Sequence, residues 1–341
     1  MTNNDYVDHK LDGQDEVLSA LRQSLKEART ESTQTQGMAR LITETSKLSI
    51  KNLDSWERLF RWELSTEQNI VPRARWKFWS RTVPNATWMD LCSGNGFLRE
   101  KTLRELSGPA PNRFFLALAI RRLNDWVPQV REAACEAIPS LAKTTNPDIF
   151  ADVLCSMLPY LMSWARMENK GWQVLTGVTS IEHIRSALKK KITQSSSAPM
   201  ATVLSQVGRT DALDDDMEEI AQHAVQPAVR AKAYRCLLEE RMTWTDGYSW
   251  KWTDIQYCKG RFFPVIQARQ LKATSPFLKT LISAVHDRSP MVRRVAGEMV
   301  IREHGRLGAN AAILAAKLAT DASPSVSERG KFALKILSEG R

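Results

Sequence analysis

Among the residues able to do chemistry, the densest group is Pro72-Arg73-Ala74-Arg75-Trp76-Lys77-Phe78-Trp79-Ser80-Arg81. Arg73, Arg75, Lys77 and Arg81 could meet phosphates while Trp76 and Trp79 stack on bases, the division of labour in a nucleic-acid groove. The plainer reading is that Trp76 and Trp79, three apart, face a core and leave the cations in solvent. A second concentration of rings lies in residues 242–263, with Trp244, Tyr248, Trp250, Trp252, Tyr257, Phe262 and Phe263. Tyr248, Trp250 and Trp252 alternate, and period two marks a strand or extended segment. This stretch reads as an insertion between helices. It either offers Trp244, Tyr248, Trp250, Trp252 and Tyr257 to a partner or folds them back onto the core.

Other groups point to no reaction. Asp211 to Glu219 hold six carboxylates, which could gather a divalent cation but also suit the first turn of a helix. His9, His183, His223, His286 and His304 are scattered without metal-ligand spacing, and neither a Gly-x-Ser-x-Gly elbow nor a P-loop occurs. No catalytic residue, metal ligand or cofactor is assigned. The five Cys at 92, 135, 155, 236 and 258 form no Cys-x-x-Cys pair, so the cytoplasm is the expected compartment. The N-terminus Met1-Thr2-Asn3-Asn4-Asp5 has no signal-peptide character, and the longest nearly apolar stretch, Val153 to Ala165, is too short for a bilayer span of about 20 residues. No membrane association is expected.

The elements that must position these groups follow a repeated phrase. Asp125-Trp126-Val127-Pro128-Gln129-Val130-Arg131 returns as Asp287-Arg288-Ser289-Pro290-Met291-Val292-Arg293, and weaker copies stand at Asp321 to Gly330, Pro227 to Arg230 and Gly96 to Arg99. The apolar markers at 98, 130, 229, 292 and 326 are separated by 32, 99, 63 and 34 residues, close to whole multiples of about 33. The Asp suits a turn, Pro suits a first helical turn, and the residues after each marker follow the i, i+3, i+4, i+7 pattern of one apolar helix face. Before each turn lies a second helix: Phe114 to Leu123, Met217 to Val225, Phe277 to Val285 and Ala311 to Leu318. Each unit is therefore a helix pair. Between 143 and 215 the helical candidates are Ile149 to Ala165 and Trp172 to Lys191. Residues 1–60 read as an N-terminal helical extension that caps the stack or docks a partner, and residues 61–341 as the stack.

With 341 residues, 43% of them apolar, the chain can bury a long core, and its net charge of +10 favours an anionic partner such as nucleic acid or an acidic protein surface. Over roughly residues 90–341 the units resemble the HEAT repeats, helix pairs with a turn Asp and a Val-Arg opening the second helix. The resemblance implies an all-α, right-handed solenoid of stacked antiparallel helix pairs. It also implies a ladder between neighbouring units, which gives Asp125, Arg131, Arg230, Asp287, Arg293 and Asp321, with Arg99, a structural role; the alternative is an exposed row of Arg for phosphate. Ser327, Gly330 and Ala224 depart from the pattern. The function implied is a scaffold or adaptor that binds a protein partner on its concave or insertion face. Two alternatives stand beside it. One is a basic solenoid that binds nucleic acid. The other is a DNA glycosylase for alkylated bases, an activity some HEAT-like solenoids carry with Trp and Asp residues; Asp125-Trp126 and Trp250 to Asp254 are similar in type but do not align with that motif. Asp90-Leu91-Cys92-Ser93-Gly94-Asn95-Gly96-Phe97 resembles the first motif of class I methyltransferases. It lacks the flanking strands of that fold and reads as a repeat turn.

Overall fold

The computed structural model describes residues 11–27, 34–70, 87–273 and 275–339. The candidate nucleic-acid contacts Arg73, Arg75, Trp76, Lys77, Trp79 and Arg81 lie outside the described residues. Among these residues the chain is mostly helical, with one antiparallel two-stranded sheet that qualifies the all-α expectation. Its packing falls into two compact units, residues 1–156 with 164–174 and residues 157–163 with 175–341.

The first unit opens with α1 (Gln14–Glu27), α2 (Gln34–Ser46) and α3 (Leu53–Ile70). Trp56 and Phe60 on one face of α3 are fully buried, and the Phe60 ring meets Phe114 at 5.5 Å between centroids. Next come α4 (Gly96–Glu105), α5 (Arg113–Arg121), α6 (Pro128–Thr144), α7 (Pro147–Met157) and the start of α8 (Asn169–Thr179). Phe114 to Ile120 of α5 are apolar all round and buried all round, as a helix without a polar face must be. In α6, Pro128 occupies the first turn, and Val130, Ala133, Ala134, Ala137, Ile138 and Leu141 form the buried face.

The second unit contains α9 (Glu182–Gln194), α10 (Met200–Val207), α11 (Met217–His223) and α12 (Pro227–Glu239). The strands β1 (Arg241–Asp254) and β2 (Lys259–Gln270) follow, then α13 (Phe277–Val285), α14 (Pro290–Arg302), α15 (His304–Leu307), α16 (Ala309–Ala319) and α17 (Pro324–Glu339). Helices α11 and α12, α13 and α14, and α16 and α17 pack as consecutive pairs; α12 also packs on α14, and α14 on α17. The markers Val130, Val229, Val292 and Val326 have no solvent exposure, whereas Leu98 is only half-buried. Val292→Ala should therefore cost about 1–3 kcal/mol through the cavity it leaves. Urea unfolding checks this, and a variant as stable as the parent rejects it. At the equivalent of the small position in the last unit, a Cβ on Gly330 would stand 2.2 Å from the Ala319 backbone nitrogen, so α17 approaches α16 where only glycine fits.

Three elements differ from the sequence reading. Trp172 to Lys191 is two helices, broken at Ser180-Ile181, where the Thr179 and Ser180 hydroxyls donate to the Thr176 carbonyl and compete with the helix ladder. Helix α10 occupies a stretch with no marker phrase. The insertion is a hairpin running from Arg241 to Gln270, beyond the expected 242–263. Pro264, the first residue past that range, stands opposite Tyr248 beside a bulge, where the ladder is already interrupted and a missing N–H costs little.

Candidate binding site on the aromatic hairpin

The Arg and Asp of the repeated phrase make one recurring clasp. Arg99 donates from Nε and Nη2 to the two carboxylate oxygens of Asp125, at 3.0 and 2.7 Å. Arg230 does the same to Asp287 at 2.9 and 3.0 Å, and Arg293 to Asp321 at 2.6 and 2.9 Å. In each case Nη1 donates to the carbonyl six residues earlier: Ser93, Ala224 and Asp287. Each Asp also accepts the N–H two residues on, from Val127, Ser289 and Ser323, which closes its own turn. Arg131 keeps the contact to Asp125 O but meets Glu168 in place of an Asp. A further clasp, Arg185 to Asp216 at 2.7 Å, escaped the sequence reading because Ile184-Arg185 lacks the preceding Asp and Pro. Arg99, Arg230 and Arg293 commit all three guanidinium nitrogens to protein oxygens, which leaves them no free fork for a phosphate.

Ion pairing also occupies other carboxylates that the sequence singles out. Asp125 is buried against Arg99 and Arg122, so it offers no carboxylate to a substrate base, although neighbouring Trp126 is exposed with the Arg166 guanidinium 3.3 Å above its ring. In the acidic run, Asp211 pairs with Lys272, Asp214 with Arg269, Asp216 with Arg185 and Lys189, Glu218 with Lys279, and Glu219 with Lys189. Among the described residues no group of three or more His, Cys, Asp or Glu could hold a metal ion. The methyltransferase-like octapeptide forms a short helix over Trp88–Cys92 and the start of α4, capped by Asn95. Burial raises the Asp90 carboxyl and the Cys92 thiol above their usual pKa, and Asp90 accepts from the Thr87 N–H and hydroxyl.

Of the candidate contact residues within the described chain, those of the hairpin stay largely open to solvent, and its base explains how it is held. Met242 is buried beside Cys236. Lys232 donates to the Thr243 carbonyl at 2.6 Å and its hydroxyl at 2.7 Å, and burial lowers its pKa. Arg269 forks onto buried Asp214 at 2.6 and 2.8 Å. Arg209 donates to the Thr245 carbonyl, pairs with Asp246 at 2.8 Å, and lies 5.6 Å from the Trp244 ring centre. The indole N–H of Trp244 is buried without an acceptor among the described residues.

A bulge then turns the hairpin over. The register runs from Thr245↔Ile266 to Tyr248↔Pro264, so Asp246 and Gly247 stand against one residue of β2; Gly247 takes φ +99°, open to glycine. Even-numbered residues of β1 share the face of buried Met242 before the bulge and lie on the opposite face after it. Trp244 thus leaves the set that the sequence grouped it with. Tyr248, Trp250 and Trp252 stay together, joined by Phe262 and Ile266 from β2. Tyr248 is 64% exposed, Trp252 56% and Phe262 66%. Trp250 makes edge-to-face contacts with Phe262 at 5.0 Å and Trp252 at 5.6 Å, and a Cβ on Gly260 would stand 2.5 Å from its indole, so glycine lets that ring lie across the neighbouring strand. Tyr257 and Ile255 are exposed at the turn.

The other face of the outer hairpin is cationic. Lys251 and Arg261 are cross-strand partners, and their charges lie 5.6 and 4.5 Å from the Phe263 ring centre; at the turn, Lys259 lies 5.5 Å from that of Tyr257. Lys251 and Arg261 form no carboxylate ion pair among the described residues, and Lys259 stands opposite Asp254 in the strand register. No protein-family model matches this chain, and no curated protein sequence matches it. Among the described residues no helix is long and apolar enough to cross a membrane.

Proposed function

We propose that the chain is a HEAT-like helical-repeat scaffold that binds a macromolecular partner through its hairpin. The recurrent Arg–Asp clasps and the row of α12, α14 and α17 support the repeat reading, in which each unit is fixed to the next by one charged bond and one apolar face. The observation that carries the functional reading is the hairpin itself: a sheet anchored at its base, whose outer part holds Tyr248, Trp250, Trp252 and Phe262 in solvent on one face. Rigid exposed aromatics are the residues that dominate interface energetics. They also cost apolar exposure that a fold without a partner has no reason to keep.

Replacing Trp250 and Trp252 together with Ala should leave the melting temperature almost unchanged and weaken partner binding by about 2 kcal/mol or more. Melting curves and side-by-side pull-downs from lysate with parent and variant measure both. A variant that melts many degrees lower yet retains its partners places the rings in the core and removes the reading.

A further inference from the structure

We propose that the partner is a nucleic-acid junction, the point where a base-paired end meets an unpaired strand, and that the hairpin enters it as a wedge; this rests on the hairpin being the contact element. The argument starts from the bulge. By turning the outer hairpin over, it brings Tyr248, Trp250, Trp252 and Phe262 together in solvent on one face and sets Lys251 and Arg261 on the opposite one, where they cover the half-buried Phe263 ring, with Lys259 at the turn. A groove for a single strand needs rings and cations side by side, because one strand must place its bases and its phosphates in the same channel. Exposed rings on one face, with cations covering a half-buried ring on the other, do not suit that ligand. They suit two strands that diverge: the aromatic face stacks on the last base pair, and the cationic face follows the phosphates of the strand that is turned away.

Charge complementarity favours this occupant over an apolar protein groove. Lys251 and Arg261 form no carboxylate ion pair among the described residues and Lys259 stands opposite Asp254 in the register, whereas Arg209, Arg241 and Arg269 at the hairpin base are all ion-paired within the chain. The chain as a whole carries +10. The unneutralised charge of this element therefore sits on the face behind its exposed rings, where an anionic polymer with stackable groups can engage both faces at once.

The test uses the full chain and fluorescence anisotropy with a forked duplex, a blunt duplex and a single strand of matched sequence, each made as DNA and as RNA. The fork should bind about tenfold or more tightly than the other two forms. The Trp250→Ala, Trp252→Ala double variant should lose that preference, and Trp252→Phe, which keeps a stackable ring, should retain most of it. The Lys251→Ala, Lys259→Ala, Arg261→Ala triple variant should flatten the plot of log affinity against log salt by about two units. Circular dichroism confirms that each variant keeps the parent's fold before its binding is compared. The DNA and RNA arms show which backbone the cationic face accepts. Equal affinity for all three forms, or a fork preference that survives loss of both rings, overturns the proposal. If phosphatidylserine vesicles bind through the same rings while no nucleic acid does, the wedge is overturned and the hairpin remains the contact element. If replacing residues 248–264 by a short glycine turn, which keeps the anchored base with Met242 and Arg269, leaves every partner bound, both readings fall.

Discussion

Asp287→Ala should destabilise the second unit by about 3–5 kcal/mol, because it leaves a guanidinium in the interior without its counter-charge. The Arg230 side chain is 1% exposed, and two of its three donating nitrogens are committed to the Asp287 carboxylate. Its remaining bonds, from Nη1 to the carbonyls of Ala224 and Val225, cannot neutralise the charge. The substitution also frees the Ser289 N–H that Asp287 caps. Arg230→Met combined with Asp287→Leu should recover most of the loss, since an apolar pair of similar volume needs no desolvated charge. Urea denaturation of the three proteins is the measurement. A single variant within about 0.5 kcal/mol of the parent shows that Arg230 finds solvent or another acceptor, and a double variant no better than the single one assigns the loss to the turn.

Acid should loosen the first unit through a second buried cluster. Glu57 on α3 lies against Arg122 at 2.7 Å and Arg121 at 2.7 Å, while Arg122 also reaches Asp125, which is held by Arg99. Burial by itself raises both carboxyls. For Glu57 the charges of Arg122, Arg121 and Arg61 outweigh it, and for Asp125 the bonds from Arg99 and the Val127 N–H do so, with the charges of Arg122 and Arg99; both end below their usual pKa. Carboxyls depressed in the folded state contribute stability that is present above their unfolded pKa, near 4, and lost as pH falls through the folded value. The first unit should therefore be insensitive to pH from about 7 to 5 and weaken steeply below about 4. Asp125→Asn should cost about 3–5 kcal/mol at neutral pH, since Arg99 and Arg122 then share too little negative charge, and its stability should fall less steeply on acidification. Denaturation at a series of pH values decides it. An acid profile identical to the parent's removes Asp125 as a cause.

The helix pairs were legible because each is written twice, once as an apolar face and once as a turn. Phe277 to Val285 coincides with α13, and Val292, Val295, Ala296, Met299 and Val300 are all buried as their spacing required. The break at Ser180 was not legible, since hydroxyl competition with the backbone leaves the apolar pattern running on. Nor was the hairpin's outer geometry. Alternation at Tyr248, Trp250 and Trp252 gave the strand, yet a one-residue bulge decides which face those rings share, and Trp244, in the same parity, ended on the other side. Lys251, Lys259 and Arg261 went unremarked because in sequence they are interleaved with rings that the sheet places behind or beside them.

Glu240 closes α12 with φ +54°, and the Leu271 N–H donates to its carbonyl at 3.0 Å, so the chain leaves the helices and returns to them at one hydrogen bond. Arg230 and Asp287 are 57 residues apart where the other Arg–Asp clasps span 26, 28 and 31, and the excess is close to the length of the hairpin between them. The helical frame closes across residues 240 and 271 and is sealed by the hairpin base, with Met242 buried and Arg269 on Asp214, while the part beyond the bulge stands clear of it. Since each doubling of a loop adds only about 0.6 kcal/mol of closure entropy, the position behaves as a socket: a cassette of different length or recognition chemistry can be spliced in there, and specificity can diverge while the frame stays unchanged.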